Sequence, residues 1–274
     1  MTRLSFDLAV VGAGEGGIAA AVRGAELGAR VALIEKSSQL GGACVATGTL
    51  PSKVYSIATG MFEVMKKAKN FGIRVDGRLE LDFKEIQASR NRLTRCDVGA
   101  INSHLRSHRV EVIHGAAAFV EPHLLAVTAE DGGVTELAAP RIVLTAGSRP
   151  AEIPGLPTDG KTMLTTDDLV QLTELPRSLV IVGAGFIGCE YAFIFLTLGL
   201  EVTLVEKLDH PLAGQDREIV ALIEKELKKR GIRFLPGTMV SGRGEAGDGR
   251  LRLTTDRGEE IIADKALVCS AVQP

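Results

Sequence analysis

The chain has 274 residues, 45% of them hydrophobic, with 31 glycines and a formal net charge of −2. That length allows two domains with real cores. The near-neutral charge, with no basic stripe, argues against a nucleic-acid partner. No apolar run reaches membrane-spanning length.

In chain order, the first element is a strand entered at once by MTRLSFDLAVVGAG, which leaves no room for a secretory signal and makes the cytoplasm the expected compartment. The segment Ala9 to Lys36, AVVGAGEGGIAAAVRGAELGARVALIEK, reads as strand, glycine turn, helix, strand. It carries G-x-G-x-x-G at Gly12, Gly14 and Gly17, and it ends in Glu35. A helix beginning near Gly42 is expected to carry GTLPSK, and a long polar-periodic helix covers about 82–108. Short strands follow near 110–114, 117–121, 124–128 and 135–146. Pro150, Pro154 and Pro157 mark the crossing into a second domain, giving expected domains 1–150 and 151–274.

There the fingerprint recurs. Val180 to Lys207, VIVGAGFIGCEYAFIFLTLGLEVTLVEK, aligns with the first copy without a gap at an offset of 171 residues. Gly12 and Gly183 permit the tight turn, and Gly14 and Gly185 let backbone approach a pyrophosphate. Gly17 and Gly188 bring helix close to strand, with the helix N-terminus facing the anion. Glu35 and Glu206 each stand 18 residues beyond the third glycine, where a carboxylate can accept hydrogen bonds from a ribose 2′-OH. Two complete copies in register imply two nucleotides on one protein. A charged helix over 216–230, acid early and base late, suits the helix dipole, and strands near 251–255 and 259–269 complete the chain.

The cysteines Cys44, Cys96, Cys189 and Cys269 form no C-x-x-C pair, which argues against a disulfide framework and a structural zinc site. His104 and His108 stand four apart on the long helix without an acidic or cysteine partner in sequence, so an exposed face is expected rather than a metal site.

Through GGAC, GTLPSK, TAGSRP, GAGFIGCE and the closing ALVCSAVQP, the chain resembles the pyridine nucleotide-disulfide oxidoreductases over essentially its whole length. The resemblance implies an α/β protein of two Rossmann-type domains, binding FAD and NAD(P), the first incomplete without a later segment. It also implies hydride transfer between NAD(P)H and flavin. Most of the family has two cysteines, five residues apart, that form a redox disulfide; here Cys44 is kept and Thr49 stands in the flavin-facing place. That departure resembles the transhydrogenase branch, and it leaves hydride exchange between flavin and nicotinamide as the surviving chemistry. The alternatives are a dihydrolipoamide dehydrogenase-like or mercuric reductase-like protein that lost its disulfide, and a non-catalytic nucleotide-binding module. Cys44 reads either as a reactive thiol or as a small residue packing beside the flavin.

The resemblance gives Lys53 a place near the flavin N5, paired with Glu190 of the nicotinamide domain. It assigns Gly12, Gly14, Gly17, Glu35, Lys36, Gly42, Cys44, Thr49, Lys53, Gly115, Ala117, Ala146 and Gly147 to FAD. Gly183, Gly185, Phe186, Ile187, Gly188, Glu190, Glu206, Val240 and Ala271 are assigned to NAD, with Phe186 covering the flavin until the nicotinamide displaces it. In TAGSRP the family's Ala and Thr are exchanged, so a hydroxyl contact from Thr145 is not expected. Ala271 and Val272 replace the Gly and Arg of G-R-x-P. Family members go on to a flavin-completing segment and a dimer domain, and they form homodimers. This chain stops at Pro274 before both, which suggests a fragment, a split subunit or a truncated gene product.

Overall fold

The structure is a computed structural model and describes residues 2–269 and 272–273. Its contacts divide into two units, the first formed by residues up to Leu50 together with Arg90–Ser148, the second by Pro51–Ser89 with Arg149–Gln273. The sequence suggests a single crossing near 150. Instead the stretch Pro51–Ser89 groups with the later part, and the division passes inside two helices.

The first unit is built on a parallel sheet in the order Glu111–His114, Val31–Glu35, Leu8–Val11, Ile142–Leu144. All five residues of VALIE are buried, as a parallel strand covered on both faces requires. Helix α1, Glu15–Glu26, makes the crossover and buries Gly17, Ala21 and Val22. A second sheet pairs Thr2–Ser5 in parallel with Val134–Ala138 and continues antiparallel through Leu124–Thr128 and Ala116–Glu121. The expected strand over 135–146 is therefore two strands in two sheets, separated at Pro140. GTLPSK lies not on one helix from Gly42 but on a second one: α2 covers Gly42–Ala46, and α3 restarts at Thr49 and runs to Lys66. Helix α4, Phe83–Ser107, matches the long periodic helix.

The second unit repeats the first sheet's plan with one more strand: Met163–Thr165, Lys265–Val268, Ser178–Val182, Glu201–Val205, Arg233–Leu235, all parallel. Helix α5, Phe186–Thr197, is apolar nearly all round and buries Gly188, Cys189, Tyr191, Ala192, Ile194 and Phe195. Helix α6, Arg217–Arg230, is capped by Asp216, whose side chain accepts from the amides of Glu218 and Ile219, and it ends at Gly231 with φ +84°. Val240–Glu245, Leu251–Thr255 and Glu260–Ala263 form an antiparallel sheet. The expected strand at 259–269 is thus divided between this sheet and the parallel one at Asp264. In both units the fingerprint strand lies where the strand order reverses, so its carboxyl end opens into a crevice.

Candidate nucleotide sites

Each crevice is shaped by backbone that must come close to backbone. In the first unit Gly12 takes φ +102°, and a Cβ there would stand 2.2 Å from the Thr145 carbonyl oxygen. A Cβ on Gly17 would stand 1.8 Å from the Gly12 oxygen, so α1 packs against its strand only through glycine. Gly42 faces Gly14, where a Cβ would reach the Gly14 Cα at 2.9 Å. Helix α1 starts from Gly14 as Glu15-Gly16-Gly17, so glycine predominates around its N-terminus, a setting suited to a pyrophosphate.

The carboxylate at the end of the second strand closes the turn. Glu35, 8% exposed, accepts from the Ala13 amide at 2.7 Å and the Ser37 amide at 2.8 Å. Glu206 does the same in the second unit, accepting from Ala184 at 2.7 Å and Leu208 at 3.0 Å. These partners are related by the same offset of 171 as the fingerprints. So are the bonds from Gly41 to Ala13 and from Leu212 to Ala184, both 2.8 Å. The backbone around Leu212 follows Gly41 into positive φ, +53° against +103°, at a cost that a side chain pays and glycine does not.

The units differ in what surrounds the turn. In the first, the Thr145 hydroxyl donates to the Val11 and Gly12 carbonyls, both at 2.9 Å. The hydroxyl thereby braces the glycine turn from below. Gly115 donates to the Glu35 carbonyl at 2.8 Å, and Ala117 continues into the strand beside it. Lys36, Thr49, Ala146 and Gly147 are exposed, and Cys44 is half-buried in α2.

In the second unit a cavity of about 770 Å³ opens over the turn. It is lined by Gly183, Gly185, Phe186, Glu206 and Val240 from the sequence assignment. Leu208, Gln215, Ile219 and Met239 also line it, and no sequence motif announced them. The volume lies within the range of small-molecule sites. Gly183 has φ +104°, and a Cβ on Gly188 would stand 1.9 Å from the Gly183 oxygen. A Cβ on Gly185 would meet nothing within 4 Å. Phe186 opens α5 with 76% of its surface exposed, at the cavity wall. Ile187 packs against the core instead, and Ala271 lies outside the described residues.

Lys53 of α3 and Glu190 of α5 meet in this unit, Nζ to Oε1 at 2.5 Å. Burial, and next the Glu206 carboxylate, push the Cys189 thiol up to about 11; burial also pushes Cys269 up, with Cys189 adding to it. Neither is poised as a thiolate nucleophile. The histidine pair on α4 packs edge to face at 4.6 Å between ring centroids, with His108 Nδ1 2.9 Å from the His104 carbonyl. Among the described residues no helix is long and apolar enough to cross a membrane.

Comparison with known proteins places these features in a family context. The family pattern of pyridine nucleotide-disulphide oxidoreductases matches residues 6–274. A dihydrolipoyl dehydrogenase of Geobacillus stearothermophilus is 33% identical over 99% of this chain and 57% of its own length. A soluble pyridine nucleotide transhydrogenase of Mycobacterium bovis is 32% identical over 98% of this chain and 57% of its own. Among solved structures, LpdA from Mycobacterium tuberculosis superposes with a TM-score of 0.90 at 26% identity, covering 100% of this chain and 59% of that one. The flavoprotein disulfide reductase RclA of Escherichia coli gives a TM-score of 0.85 at 26% identity, covering 99% and 57%. The chain thus spans between half and three fifths of the length of the relatives it matches. Oxidoreductases of this kind use FAD and NAD(P)H.

Proposed function

Because the chain belongs to the pyridine nucleotide-disulphide oxidoreductase family, we propose that it carries hydride between nicotinamide nucleotides by way of FAD, without a redox disulfide. The observation that carries this reading is the duplicated nucleotide turn, with Glu35 and Glu206 clamped by equivalent amides in two different settings. The residues present fit the two groups. Gly12, Gly14, Gly17 and Gly42 let backbone pack closely at the turn where the FAD pyrophosphate would sit, and Glu35 is fixed for the ribose. The cavity bounded by Gly183, Gly185, Glu206 and Val240 would take the nicotinamide nucleotide.

FAD, when bound, supplies the ring that holds two electrons between one nicotinamide and the next. The chain's own residues do the rest. The amides at the starts of α1 and α5 would hold the pyrophosphates. Lys53 would supply a positive charge beside the ring, and Glu190, in contact with it, would hold the ammonium in place. Phe186, exposed at the cavity wall, would cover the ring until a nicotinamide displaced it. Thr49 offers no sulfur, so no disulfide joins positions 44 and 49 and no dithiol relay follows. Two electrons and one hydrogen nucleus leave the first nicotinamide and reach the second, so no further oxidant is consumed.

The test is the visible spectrum of the purified chain supplied with FAD. The flavin band is expected to bleach with NADH under anaerobic conditions and to return when an oxidised nicotinamide analogue is added. A chain that binds no flavin, or whose bleached flavin recovers only with a disulfide substrate, would overturn the reading.

The relatives named dihydrolipoyl dehydrogenase favour a second reading, a disulfide enzyme that has lost one cysteine. Under it, Thr49→Cys restores reduction of a lipoamide-type disulfide; under the first, it leaves nicotinamide exchange as the main turnover.

A further inference from the structure

Two buried polar side chains remain without a role, and they lie in the same core as the elements carrying the Lys53–Glu190 contact. Tyr55 is 2% exposed within a cluster that includes Phe83, Ile86, Leu169, Tyr191 and Phe195. Its hydroxyl donates to Gln87 Oε1 at 2.9 Å. Gln87, also buried, donates from Nε2 to the Leu172 carbonyl at 2.7 Å and, more weakly, to that of Leu169 at 3.5 Å. Leu169 sits in the 3-10 turn Thr166–Gln171, whose start is closed by reciprocal bonds between Thr165 and Asp168. Thr165 ends the strand Met163–Thr165 at the edge of the parallel sheet, whose central strand feeds α5. A hydrogen-bonded path therefore runs from α3 through α4 and the turn to the sheet that places Glu190.

Lys53 and Tyr55 are two residues apart, so they leave α3 on roughly opposite sides. Tyr55 shares the buried face with Pro51, Ser52 and Thr59, while Lys53 is half exposed. Apolar packing alone lets a helix slide by fractions of an ångström; a buried hydrogen bond accepts only a narrow range of distance and angle. The attraction between Lys53 and Glu190 falls once water enters the gap between them.

We propose that the Tyr55–Gln87 hydrogen bond is a positioning device, which sets α3 on the second unit's core so that the Lys53 ammonium meets the Glu190 carboxylate. Its consequence for hydride transfer rests on the function proposed above; its structural content does not.

The experiment uses the full chain and Tyr55→Phe, which keeps the ring and removes the bond. A zero-length carbodiimide joins an amine to a carboxylate only when they touch, so the joined Lys53–Glu190 peptide reports the contact without flavin. Its yield is expected to fall at least about threefold in the variant, with the Lys229–Glu226 pair, 3.2 Å apart, as the unchanged control. In the FAD-loaded chain, Tyr55→Phe is expected to slow flavin reduction by NADH about fivefold. In a Glu190→Gln background it is expected to add less than about a twofold effect, although the fall in Tm is the same in both. An undiminished cross-link, or equal slowing in both backgrounds, overturns the proposal. Should Tyr55→Phe fail to fold, Gln87→Met cuts the same bond from the other side and carries the same expectations. If the parent's flavin is not reduced by NADH, the hydride-transfer reading falls, and the cross-link alone decides the positioning role.

Discussion

The Lys53 ammonium lies 2.5 Å from the Glu190 carboxylate across 137 residues of sequence, and the two side chains keep 55% and 28% of their surface exposed. A pair so open to water contributes roughly 0.2–1 kcal/mol to stability. Lys53→Met is therefore expected to shift Tm little. Under the proposed function it should lower the flavin potential and slow reduction by NADH roughly tenfold or more, since a charge would be lost where negative charge would develop. Glu190→Gln should slow reduction less, and the double variant should lose less than the two combined. Unchanged potential and rate in Lys53→Met, read by stopped flow and redox titration, would reduce Lys53 to a surface residue.

The second fingerprint separates two effects of glycine. At Gly188 an added methyl would stand 1.9 Å from the Gly183 oxygen, so α5 must move off its strand. Gly188→Ala is expected to destabilise the chain by about 1–3 kcal/mol or more, measured by urea unfolding. At Gly185 nothing lies within 4 Å, so Gly185→Ala should leave stability within roughly 0.5 kcal/mol. Its methyl would nevertheless face an approaching pyrophosphate, and NADH affinity should drop about tenfold by calorimetry.

Under the proposed function, coenzyme choice would follow from Glu206. Both of its oxygens are held by amides, of Ala184 and Leu208, so the carboxylate stays fixed at the cavity wall. A ribose 2′-OH can donate to it, while a 2′-phosphate is repelled. NADH is expected to bind at least about tenfold tighter than NADPH. Comparable binding of the two would contradict this and would favour an enzyme serving both coenzyme pools.

Asp159 should make stability fall in acid. Burial raises its pKa, but bonds from the amides of Lys161, Met163 and Thr162 and from the Thr162 hydroxyl outweigh that and hold it well below the usual carboxylate range. A carboxyl with a depressed folded pKa contributes stability above its unfolded value, and that contribution is lost as pH falls through the folded one. Asp159→Asn is thus expected to be less stable than the parent at neutral pH. The gap should narrow as pH drops below about 4, the unfolded aspartate value. A gap that stays constant as pH falls further below that value would mean the carboxylate's charge plays no part.

Several features of this protein were legible in its sequence because they are local. A G-x-G-x-x-G between an apolar run and a helical stretch needs only neighbouring residues to declare itself, and Glu35 and Glu206 sit at a fixed remove from it. The helices α4 and α6 appeared through their periodicity and end signals, since 3.6-residue repeats and Asp216 act over a few turns. Strands Arg233–Leu235 and Val240–Glu245 carried no such signal: one is three residues long, four of the other's six residues are glycine or charged, and both exist through their partners.

Tertiary structure alone decided the rest. The Thr145 hydroxyl finds the Val11 and Gly12 carbonyls because the strand Ile142–Leu144 pairs with Leu8–Val11, a register no local pattern records. Tyr55 and Gln87 each look like a lone polar residue on a helix until α3 and α4 bury them against each other. The cavity wall of Leu208, Gln215, Ile219 and Met239 is assembled from separate loops and a helix around a carboxylate the sequence had already marked. The composition of each segment specifies its own backbone and its own buried face. Which buried groups meet depends on long-range pairing and packing, and that information is spread over the whole chain.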